Sequence, residues 1–435
     1  MLTQRQNSCR VRESLVKSSA NGHTQEGKEF ILKLRSEKTL ILLLAAVQFC
    51  HILDFVIMMP LGPQLMRAFA IDAKAFAVLV SSYTFSSAVF GVIGAFLIDR
   101  FDRKSMVLFV FAGFLVGTLL CALSPGYFTL LGARIFAGAF GGVVNTLVFT
   151  ILGDTIPDER RGRATGTIMA AFSVASVVGI PIGLYFAELF SWHAPFIALS
   201  GGGTLVWVLF ALKMPSMRGH IVAQDESGRS RSEQFRKHLK DFSKVFFETN
   251  HQRAFMLTIC LMFAAFSLIP FISTYAVNNA GLPESKLSLI YFCGGMCTFF
   301  SSRYIGGLAD RYGKFRVFSI IALASLVPIF ALTNLPVASV AIILLTTTAF
   351  MVLVSGRFVP AMALITSSAD PRRRGSFMSV NNAIQHLASG LASLSGGALM
   401  TTTASGALVG YNKVGYMAML MTVLSLGLAK RIGAR

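Results

Sequence analysis

Long apolar runs separated by short polar turns occupy most of the chain. Each run is about 20 residues long, the length that an α-helix needs to cross the hydrocarbon core of a membrane. Because backbone amides in lipid must be hydrogen-bonded within their own segment, the runs predict helices. Numbered in chain order as spans 1–12, they lie near residues 39–61, 76–98, 105–125, 127–152, 164–187, 194–214, 255–275, 287–309, 315–335, 338–366, 376–400 and 406–429. The pattern therefore predicts an all-α membrane protein with twelve transmembrane helices.

The polar turn after span 2 is repeated after span 8. Residues 94–104 read GAFLIDRFDRK and residues 306–314 read GGLADRYGK, with 211 residues between Asp99 and Asp310. The turns after spans 4 and 10 repeat with an offset of 213 residues. Two nearly equal offsets indicate one internal repeat, which in membrane transporters forms two similar bundles.

The repeat divides the chain into two pseudo-symmetric six-helix bundles. The predicted parts are a cytoplasmic tail (1–38), an N-terminal bundle (39–214), a cytoplasmic linker (215–253), a C-terminal bundle (254–430) and a second cytoplasmic tail (431–435). Within the linker, Phe235, Leu239, Phe242 and Phe246 have helical spacing and basic neighbours. This pattern fits an amphipathic helix on the inner leaflet, and a loosely ordered linker is the equal alternative.

Composition and charge agree with a membrane protein. The chain is 54% hydrophobic and 14% charged, and its formal net charge is +19. Of the 39 Lys and Arg residues, 32 lie in the tails and the turns on one side, and four lie in the loops on the other. Such a bias predicts that the basic side faces the cytoplasm and that both termini lie there. The expected location is a cell (inner) membrane. The charge therefore indicates topology and contact with the lipid bilayer, and no nucleic acid is expected as a partner.

Four stretches are similar to motifs of the major facilitator superfamily. The turns 99–104 and 310–314 resemble the loops after spans 2 and 8 in that family. Residues 134–142, RIFAGAFGG, resemble a span-4 motif associated with proton coupling, and residues 179–183, GIPIG, resemble a span-5 motif typical of antiporters. Residues 157–162 resemble the basic turn after span 4 in drug and sugar efflux permeases.

The resemblance covers residues 39–430 and favours the drug/sugar efflux branch, which includes proton antiporters similar to arabinose efflux permeases. It implies two rocking bundles that expose a central site to each side in turn. The first turn departs from the family pattern, because Ala95 and Asp102 stand where glycines are expected. The second turn keeps both glycines, as Gly306 and Gly313.

The two Asp-Arg turns are candidate gates. A carboxylate at the end of one span is stabilised at the N-terminus of a neighbouring helix, where free N–H groups and the helix dipole favour negative charge. In this family the partner of span 2 is span 11. We expect Asp99 to bind span 11, and Asp310 to bind span 5, when the cytoplasmic side is closed. The cations of the turns would add breakable charge pairs, or they would only anchor loops and set topology; they are Arg100, Arg103, Lys104, Arg311 and Lys314.

Asp54 and Arg134 are expected to form a pair inside the N-terminal bundle. Asp54 lies 15 residues into span 1, roughly 22 Å above the inner face. Arg134 lies seven residues into span 4, which descends from the outside, so it lies about 20 Å above the inner face of a core about 30 Å thick. An ionisable residue inside a span normally faces a partner or a cavity.

This pair predicts proton coupling. Opening to one side and then the other changes the surroundings of Asp54, so a proton can load on one face and leave on the other. His51, one turn from Asp54, could relay protons, although a lone helical His is more often a packed hydrogen-bond donor. The alternative is a permanent ion pair that only joins two helices.

Arg357 is the intramembrane cation of span 10. Spans 7–12 contain no evident carboxylate to pair with it. It therefore predicts either an anionic group on the substrate or polar partners on span 11. The predicted substrate cavity combines Arg357 with Asn145, Asn382, Gln385 and His386.

Small residues and a proline predict close packing or a bend. Gly138 belongs to the span-4 motif, and Gly179, Pro181 and Gly183 lie in the middle of span 5. Proline removes one helical hydrogen bond, and glycines four residues apart allow close backbone approach. The bend could seal the substrate path against leakage, or the residues could simply pack.

These features together predict a secondary transporter, not an enzyme. The sequence carries no ATP-binding or metal-binding signature, so no cofactor is expected and a gradient must supply the energy. The favoured function is proton-coupled efflux of small organic solutes or drugs by a monomer, whose partners are a small-molecule substrate and protons. The alternatives are a uniporter or proton symporter for a polar or anionic metabolite, and a lipid-translocating or sensor protein of the same fold.

Overall fold

Helices account for nearly all of the described chain. The computed structural model describes residues 37–217, 246, 248–369 and 374–433. The predicted amphipathic helix of the linker lies almost wholly outside these residues, as does nearly all of the N-terminal tail. The all-α fold expected from the apolar runs is confirmed.

The helices of the N-terminal half follow the predicted spans closely. Spans 1–6 are Glu37–Ile57, Ala73–Leu97, Arg103–Ala122, Tyr127–Thr155, Asp158–Val174 with Ile180–Leu189, and Ala194–Lys213. A short helix, Gly62–Ala68, joins spans 1 and 2 at the predicted outer end. The turn Ile98–Arg100 after span 2 is 3₁₀-helical.

The C-terminal half repeats this arrangement. Spans 7–12 are Thr249–Phe266 with Ile272–Asn278, Leu287–Tyr312, Lys314–Thr333, Val340–Gly356 with Phe358–Ser367, Arg374–Ala398, and Tyr411–Gly433. Two short antiparallel strands, Thr401–Thr402 and Leu408–Val409, form a hairpin between spans 11 and 12.

Ten helical segments are long and apolar enough to cross a membrane, by length and composition, in the described part of the chain. The helices of spans 8 and 11 are not among the ten, although they contain 26 and 25 residues. Both carry intramembrane polar side chains, such as Arg303 in span 8 and Asn382 in span 11. The membrane fold is compatible with twelve crossings, and the number twelve stays a prediction.

Span 5 changes its helical geometry at the predicted Gly-Pro motif. Residues Ala175–Gly179 form a π-helical segment directly before the helix that carries Pro181. Proline has no N–H to give to the preceding turn, and a π-helical turn is one way of absorbing that loss within a helix. The expected irregularity is therefore present as a π-helical segment.

Spans 2 and 4 pack with their backbones close together. A β-carbon at Gly138 would lie 2.5 Å from the carbonyl oxygen of Tyr83, so no larger residue fits there without movement. Ser86 donates a hydrogen bond to the carbonyl of Ile135 (2.7 Å), and Ser87 donates one to the carbonyl of Gly138 (2.9 Å). Gly138 thus allows the close packing that the sequence suggested.

Asp102, which replaces a glycine of the family pattern, has a structural role. Its carboxylate caps the N-terminus of span 3 by accepting a hydrogen bond from the Ser105 N–H (3.2 Å). It also accepts hydrogen bonds from the Met217 N–H (2.6 Å) and the Ser216 hydroxyl (3.1 Å), beyond the end of span 6. Burial raises the pKa of Asp102, but the hydrogen bonds that it accepts lower it by more, so this pKa lies below its ordinary value of 3.8.

Replacing Asp102 with alanine is expected to lower the free energy of unfolding by about 1 kcal/mol, the usual effect of losing an N-cap. Because its pKa is lowered, the carboxylate contributes fully above pH 3.8, and the contribution is lost only as the pH falls through the lower folded-state value. Thermal unfolding in detergent at neutral pH measures the change. Asp102→Asn, which still caps, is the control, and equal melting temperatures for Asp102→Ala and wild type would contradict the capping role.

Candidate functional site

A buried ion pair joins spans 1 and 4. Arg134 Nη1 donates to Asp54 Oδ2 at 2.8 Å, and more weakly to the Asp54 carbonyl at 3.3 Å. Both side chains are 0% exposed. Span 3 completes the site, because the Thr118 hydroxyl donates to the other carboxylate oxygen at 3.0 Å. The contact expected from the depths of the two residues is present.

Tyr83 of span 2 covers the remaining face of the guanidinium. Arg134 Cζ lies 4.3 Å from the centre of the Tyr83 ring, a cation–π geometry. Within the described residues, Arg134 Nε and Nη2 and the Tyr83 hydroxyl are buried without hydrogen-bond partners. The Asp54 carboxylate therefore has one cationic partner, while that cation keeps unused donors. Protonation of Asp54 would weaken the attraction that holds spans 1 and 4 together here.

His51 lies beside the pair without bonding to it. Its ring centre is 6.3 Å from that of Tyr83 and 6.1 Å from that of Phe114. Among the described residues, neither ring nitrogen of His51 has a hydrogen-bond partner. The suggested proton relay thus has no direct hydrogen bond to Asp54 in this structure. The electrostatic neighbour of His51 in the other bundle is His386 of span 11.

The other predicted cavity residues lie in two groups. Asn145 of span 4 accepts a hydrogen bond from Gln48 of span 1 at 2.9 Å. Gln48 lies one helical turn before His51. Asn382, Gln385 and His386 of span 11 are half-buried. In the described part of the chain, no hydrogen bond reaches the side chains of these three span-11 residues. They are available to an additional polar group, while Asn145 is already engaged.

Arg357 does not join this group, and the expectation of span-11 partners was wrong. Its Nη1 donates to the Ser325 hydroxyl of span 9 at 3.1 Å and to the Thr422 hydroxyl of span 12 at 2.8 Å. The side chain is 0% exposed. It lies where span 10 is divided into two helices, and its hydrogen-bond partners belong to its own bundle. None of its hydrogen bonds within the described residues is to a carboxylate.

The first Asp-Arg turn is tied to its own bundle. The side chain of Asp99 lies outside the described residues, so its predicted contact with span 11 is not addressed. Arg103, which is 3% exposed, donates to Asp154 at the end of span 4 (2.9 Å) and to the Ile98 carbonyl (2.7 Å). Arg103 therefore joins spans 3 and 4 through a buried guanidinium and an exposed carboxylate. Arg100 is exposed and Lys104 is half-buried.

The second turn is open in this conformation. Asp310 is exposed, and the described residues give it no hydrogen bond or ion pair. Arg311 stacks on the neighbouring Tyr312 ring at 5.3 Å, and Lys314 begins span 9. The predicted contact between Asp310 and span 5 is thus not formed here.

The two bundles are joined at the predicted outer end, which the sequence did not reveal. Arg67 donates two hydrogen bonds to Glu284 at 2.7 and 2.9 Å, linking the span 1–2 loop to the span 7–8 loop. The Ala73 N–H at the start of span 2 donates to the Thr402 hydroxyl of the hairpin at 3.0 Å. With these contacts formed and Asp310 without a hydrogen-bond or ion-pair partner among the described residues, the bundles are in contact at the predicted outer end and the second turn is open at the other end.

Tyr83, Thr118 and Gln48 belong to the site and were missed. Thr118 lies 13 residues after the predicted start of span 3 at residue 105, within about 3 Å of the depth that was counted for Asp54 in span 1. A depth comparison extended to hydroxyl groups would have found it. Tyr83 and Gln48 carried no comparable signal, because an isolated polar residue in an apolar span is usually a packing residue.

Comparison with known proteins identifies a family. The model described as Major Facilitator Superfamily matches residues 44–393. The uncharacterized MFS-type transporter YwfA of Bacillus subtilis is 28% identical over 372 residues, 84% of this chain and 85% of that protein. The inner membrane transport protein YdhP of Escherichia coli K12 is 24% identical over 375 residues, 84% of this chain and 89% of that protein.

Solved structures agree on the fold. A D-xylose–proton symporter superposes with a TM-score of 0.72 at 15% identity, covering 89% of this chain and 96% of that one. A bacterial homologue of the human lysosomal transporter Spinster, inward-facing and unoccupied, superposes with a TM-score of 0.64 at 13% identity, covering 92% and 96%. At these identities the likeness shows the fold alone.

Proposed function

The chain belongs to the Major Facilitator Superfamily, and from this we propose that it is a proton-coupled exporter of small organic solutes. Membership makes it an integral membrane protein and a secondary transporter, not an enzyme. Proton coupling, outward direction and organic substrates are the proposed part.

The ion pair of Asp54 and Arg134 carries the proposal. Charged side chains are costly inside a membrane, and those that persist there commonly belong to ion or proton pathways. This carboxylate has one cation and one hydroxyl as partners, both on other spans. A proton bound by Asp54 would replace the attraction of Arg134. Proton exchange would therefore change the contact between spans 1 and 4, and coupling requires that this change alter the balance between the two orientations of the bundles.

The packing of span 5 against span 1 supports coupling without a proton leak, and the antiport direction itself relies on the resemblance of residues 179–183 to the antiporter motif. The glycines of span 5 lie against span 1, because a β-carbon at Gly179 would be 2.8 Å from Leu53 and one at Gly183 would be 2.7 Å from Ile57. Leu53 and Ile57 flank Asp54 in the sequence. Such close contact leaves no water-filled gap between the span with the carboxylate and the span with the antiporter-like motif. A sealed path of this kind prevents protons from leaking while the substrate moves the other way.

The alternative of an anionic substrate has lost its main support. It relied on an Arg357 directed into a central cavity, and Arg357 instead donates to hydroxyls of spans 9 and 12. The half-buried polar side chains of span 11 remain available to a polar substrate. They serve an exporter and an importer equally well.

The proposed arrangement in the membrane follows from the charge bias. Both termini and the linker 215–253 would face the cytoplasm of a cell (inner) membrane, and residues 39–214 and 254–430 would form the two bundles. Alternating access would then be a rocking of these bundles, with the protein acting as a monomer. Loss of the Arg67–Glu284 contact would accompany opening to the outside.

Wild-type protein in proteoliposomes loaded with the pH-sensitive dye pyranine tests the proposal. Sugars, amino acids and uncharged aromatic compounds are added one at a time, and the proton movement that each causes is recorded. We expect at least one class of solute to drive protons in the opposite direction to its own movement. An imposed pH gradient should accelerate export of that solute, and a protonophore should remove the effect. Solute flux that is insensitive to the gradient would support a uniporter instead.

A further inference from the structure

A cavity lies between the bundles, away from the span-11 polar residues. Its volume is about 100 Å³, and its walls come from spans 1 and 5 on one side and spans 7, 8 and 10 on the other. The π-helical segment of span 5 forms part of the wall through Ser176. Opposite it, a β-carbon at Gly295 of span 8 would lie 3.1 Å from the Ser176 carbonyl carbon. Irregular helical geometry and close backbone approach thus meet at this cavity, as they often do at functional sites.

The walls are almost entirely apolar and carry no charged side chain. Phe172, Ile180, Phe350 and Met351 represent their chemistry. An apolar cavity of about 150 Å³ holds benzene, and this one is smaller, so it accepts a short branched alkyl chain or the part of a ring that enters from its rim. An ionised group would lose its hydration here without compensation.

Five of the residues that line the cavity carry a hydroxyl group, namely Ser173, Ser176, Tyr291, Thr298 and Ser355. The Ser176 hydroxyl donates to the Phe172 carbonyl at 3.0 Å. The Tyr291 hydroxyl is already hydrogen-bonded to Ser273 at 2.7 Å. Among these hydroxyls, Thr298 Oγ1 is the one that is both buried and unpaired within the described residues. Buried hydroxyls usually have a partner, so Thr298 is suited to bind a polar atom of a ligand. A mostly apolar wall with few hydroxyls fits a molecule with few polar atoms, whereas a sugar would leave many of its hydroxyls unsatisfied.

The cavity is next to the proton site along span 1. Val56 and Met59 form part of its wall, two and five residues after Asp54. Asp54 itself is directed to Thr118 and Arg134 of its own bundle. Span 1 therefore presents the carboxylate to one neighbour and the cavity wall to another.

We propose that this cavity binds the apolar ring or alkyl end of the transported molecule, a neutral amphipathic organic compound, with Thr298 as its hydrogen-bond partner. The proposal rests on the transport function proposed above and specifies the substrate class. Phe172, which is exposed by 47%, marks the rim through which such a molecule would enter.

Binding of N-phenyl-1-naphthylamine tests the inference. This neutral aromatic amine fluoresces in apolar surroundings and has a single N–H. The full chain is placed in lipid nanodiscs, and the signal of empty nanodiscs is subtracted. We expect saturable binding to wild type. Thr298→Val keeps the side-chain shape and removes the hydroxyl, so the dissociation constant should rise about threefold to tenfold, the usual range for one lost hydrogen bond.

Two further variants complete the test. Ser173→Phe should fill the cavity from its rim and remove saturable binding, and its elution profile and melting temperature report whether it folds. Thr346→Val is the matched control, because it is the same Thr-to-Val change at a position of span 10 that does not line the cavity. The Thr346 hydroxyl donates to the Ile342 carbonyl, and its loss should leave dye binding unchanged. A dissociation constant that Thr298→Val leaves unchanged, or saturable binding to a folded Ser173→Phe, would overturn the assignment, as would a wild-type signal equal to that of empty nanodiscs. If Ser173→Phe does not fold, Thr298→Val decides alone.

The outcome is independent of proton coupling. Dye binding is measured at equilibrium without a gradient, so it reports on the cavity and not on proton-driven movement. Asp72→Asn, which lies outside both the cavity and the proton site, should bind the dye as wild type does. Dye binding without solute-driven proton movement would leave the cavity assigned and refute the proposed coupling. Solute-driven proton movement without dye binding would support the proposed coupling and refute the assignment of the cavity.

Discussion

Asp54→Asn is expected to abolish gradient-driven transport. The variant retains the volume of the side chain. Its amide oxygen can accept from Arg134, which donates to Asp54 Oδ2 at 2.8 Å, while its NH₂ group can donate to the Thr118 hydroxyl, which in wild type donates to Oδ1 at 3.0 Å. It cannot bind or release a proton. If Asp54 is the coupling group, an imposed pH gradient can no longer drive the solute, and accumulation should fall to that of protein-free vesicles.

Exchange of the same solute across the membrane should survive in Asp54→Asn. Exchange needs the two bundles to rock with solute bound, but it needs no net proton movement. Measuring exchange and gradient-driven flux in the same vesicle preparation therefore separates lost coupling from lost folding. The assay uses whichever solute moves protons in the wild-type panel, with pyranine as the proton indicator.

Asp72→Asn is the matched control for this experiment. Asp72 is a carboxylate of the same bundle that caps span 2 through the Ala75 N–H at 2.8 Å, and asparagine caps equally well. Its transport should match wild type. Full gradient-driven flux in Asp54→Asn would show that the ion pair is a permanent structural link, the alternative that the sequence left open.

Depth along a span could be predicted from the sequence, and direction around it could not. A helix rises by a constant 1.5 Å per residue, so counting from the membrane faces placed Asp54 and Arg134 at the same level. Their contact at 2.8 Å agrees with that count. The same count contains no information on how a helix is rotated. The side chain of Arg357, at the break in span 10, donates to spans 9 and 12.

The turns show the same limit for a different reason. The sequence motifs located both Asp-Arg turns, but they did not show which charges remain within a bundle. Arg103 donates a hydrogen bond to Asp154, a carboxylate that belongs to none of the motifs. Contacts at the outer end, such as Arg67 with Glu284, join loops 217 residues apart in the chain. Loops are not constrained by the helical rise, so their partners depend on the packing of all the spans.

Arg134→Met is expected to destabilise the protein by about 3–5 kcal/mol, the usual effect of removing one partner of a buried ion pair. Methionine has a similar length, so the space is largely filled. The loss arises because Asp54, which is 0% exposed, keeps a carboxylate with only the Thr118 hydroxyl as a partner. Denaturant unfolding in detergent, followed by tryptophan fluorescence, measures the difference.

The double variant Asp54→Asn/Arg134→Met should recover most of that stability, since no charge is then left buried alone. The interaction energy from the four proteins of this cycle separates the contribution of the ion pair from that of the lost side-chain volume.

Arg357→Met is the matched control, because Arg357 is equally buried but has two hydroxyls as its partners. Those hydroxyls also donate to helix carbonyls, so no polar group is orphaned and the loss should be much smaller. Equal destabilisation by the two Arg→Met variants, with no recovery in the double variant, would mean that packing and not charge holds Arg134 in place. Asp54 would then have no electrostatic link to the movement of span 4, and the proposed coupling would lose its physical basis.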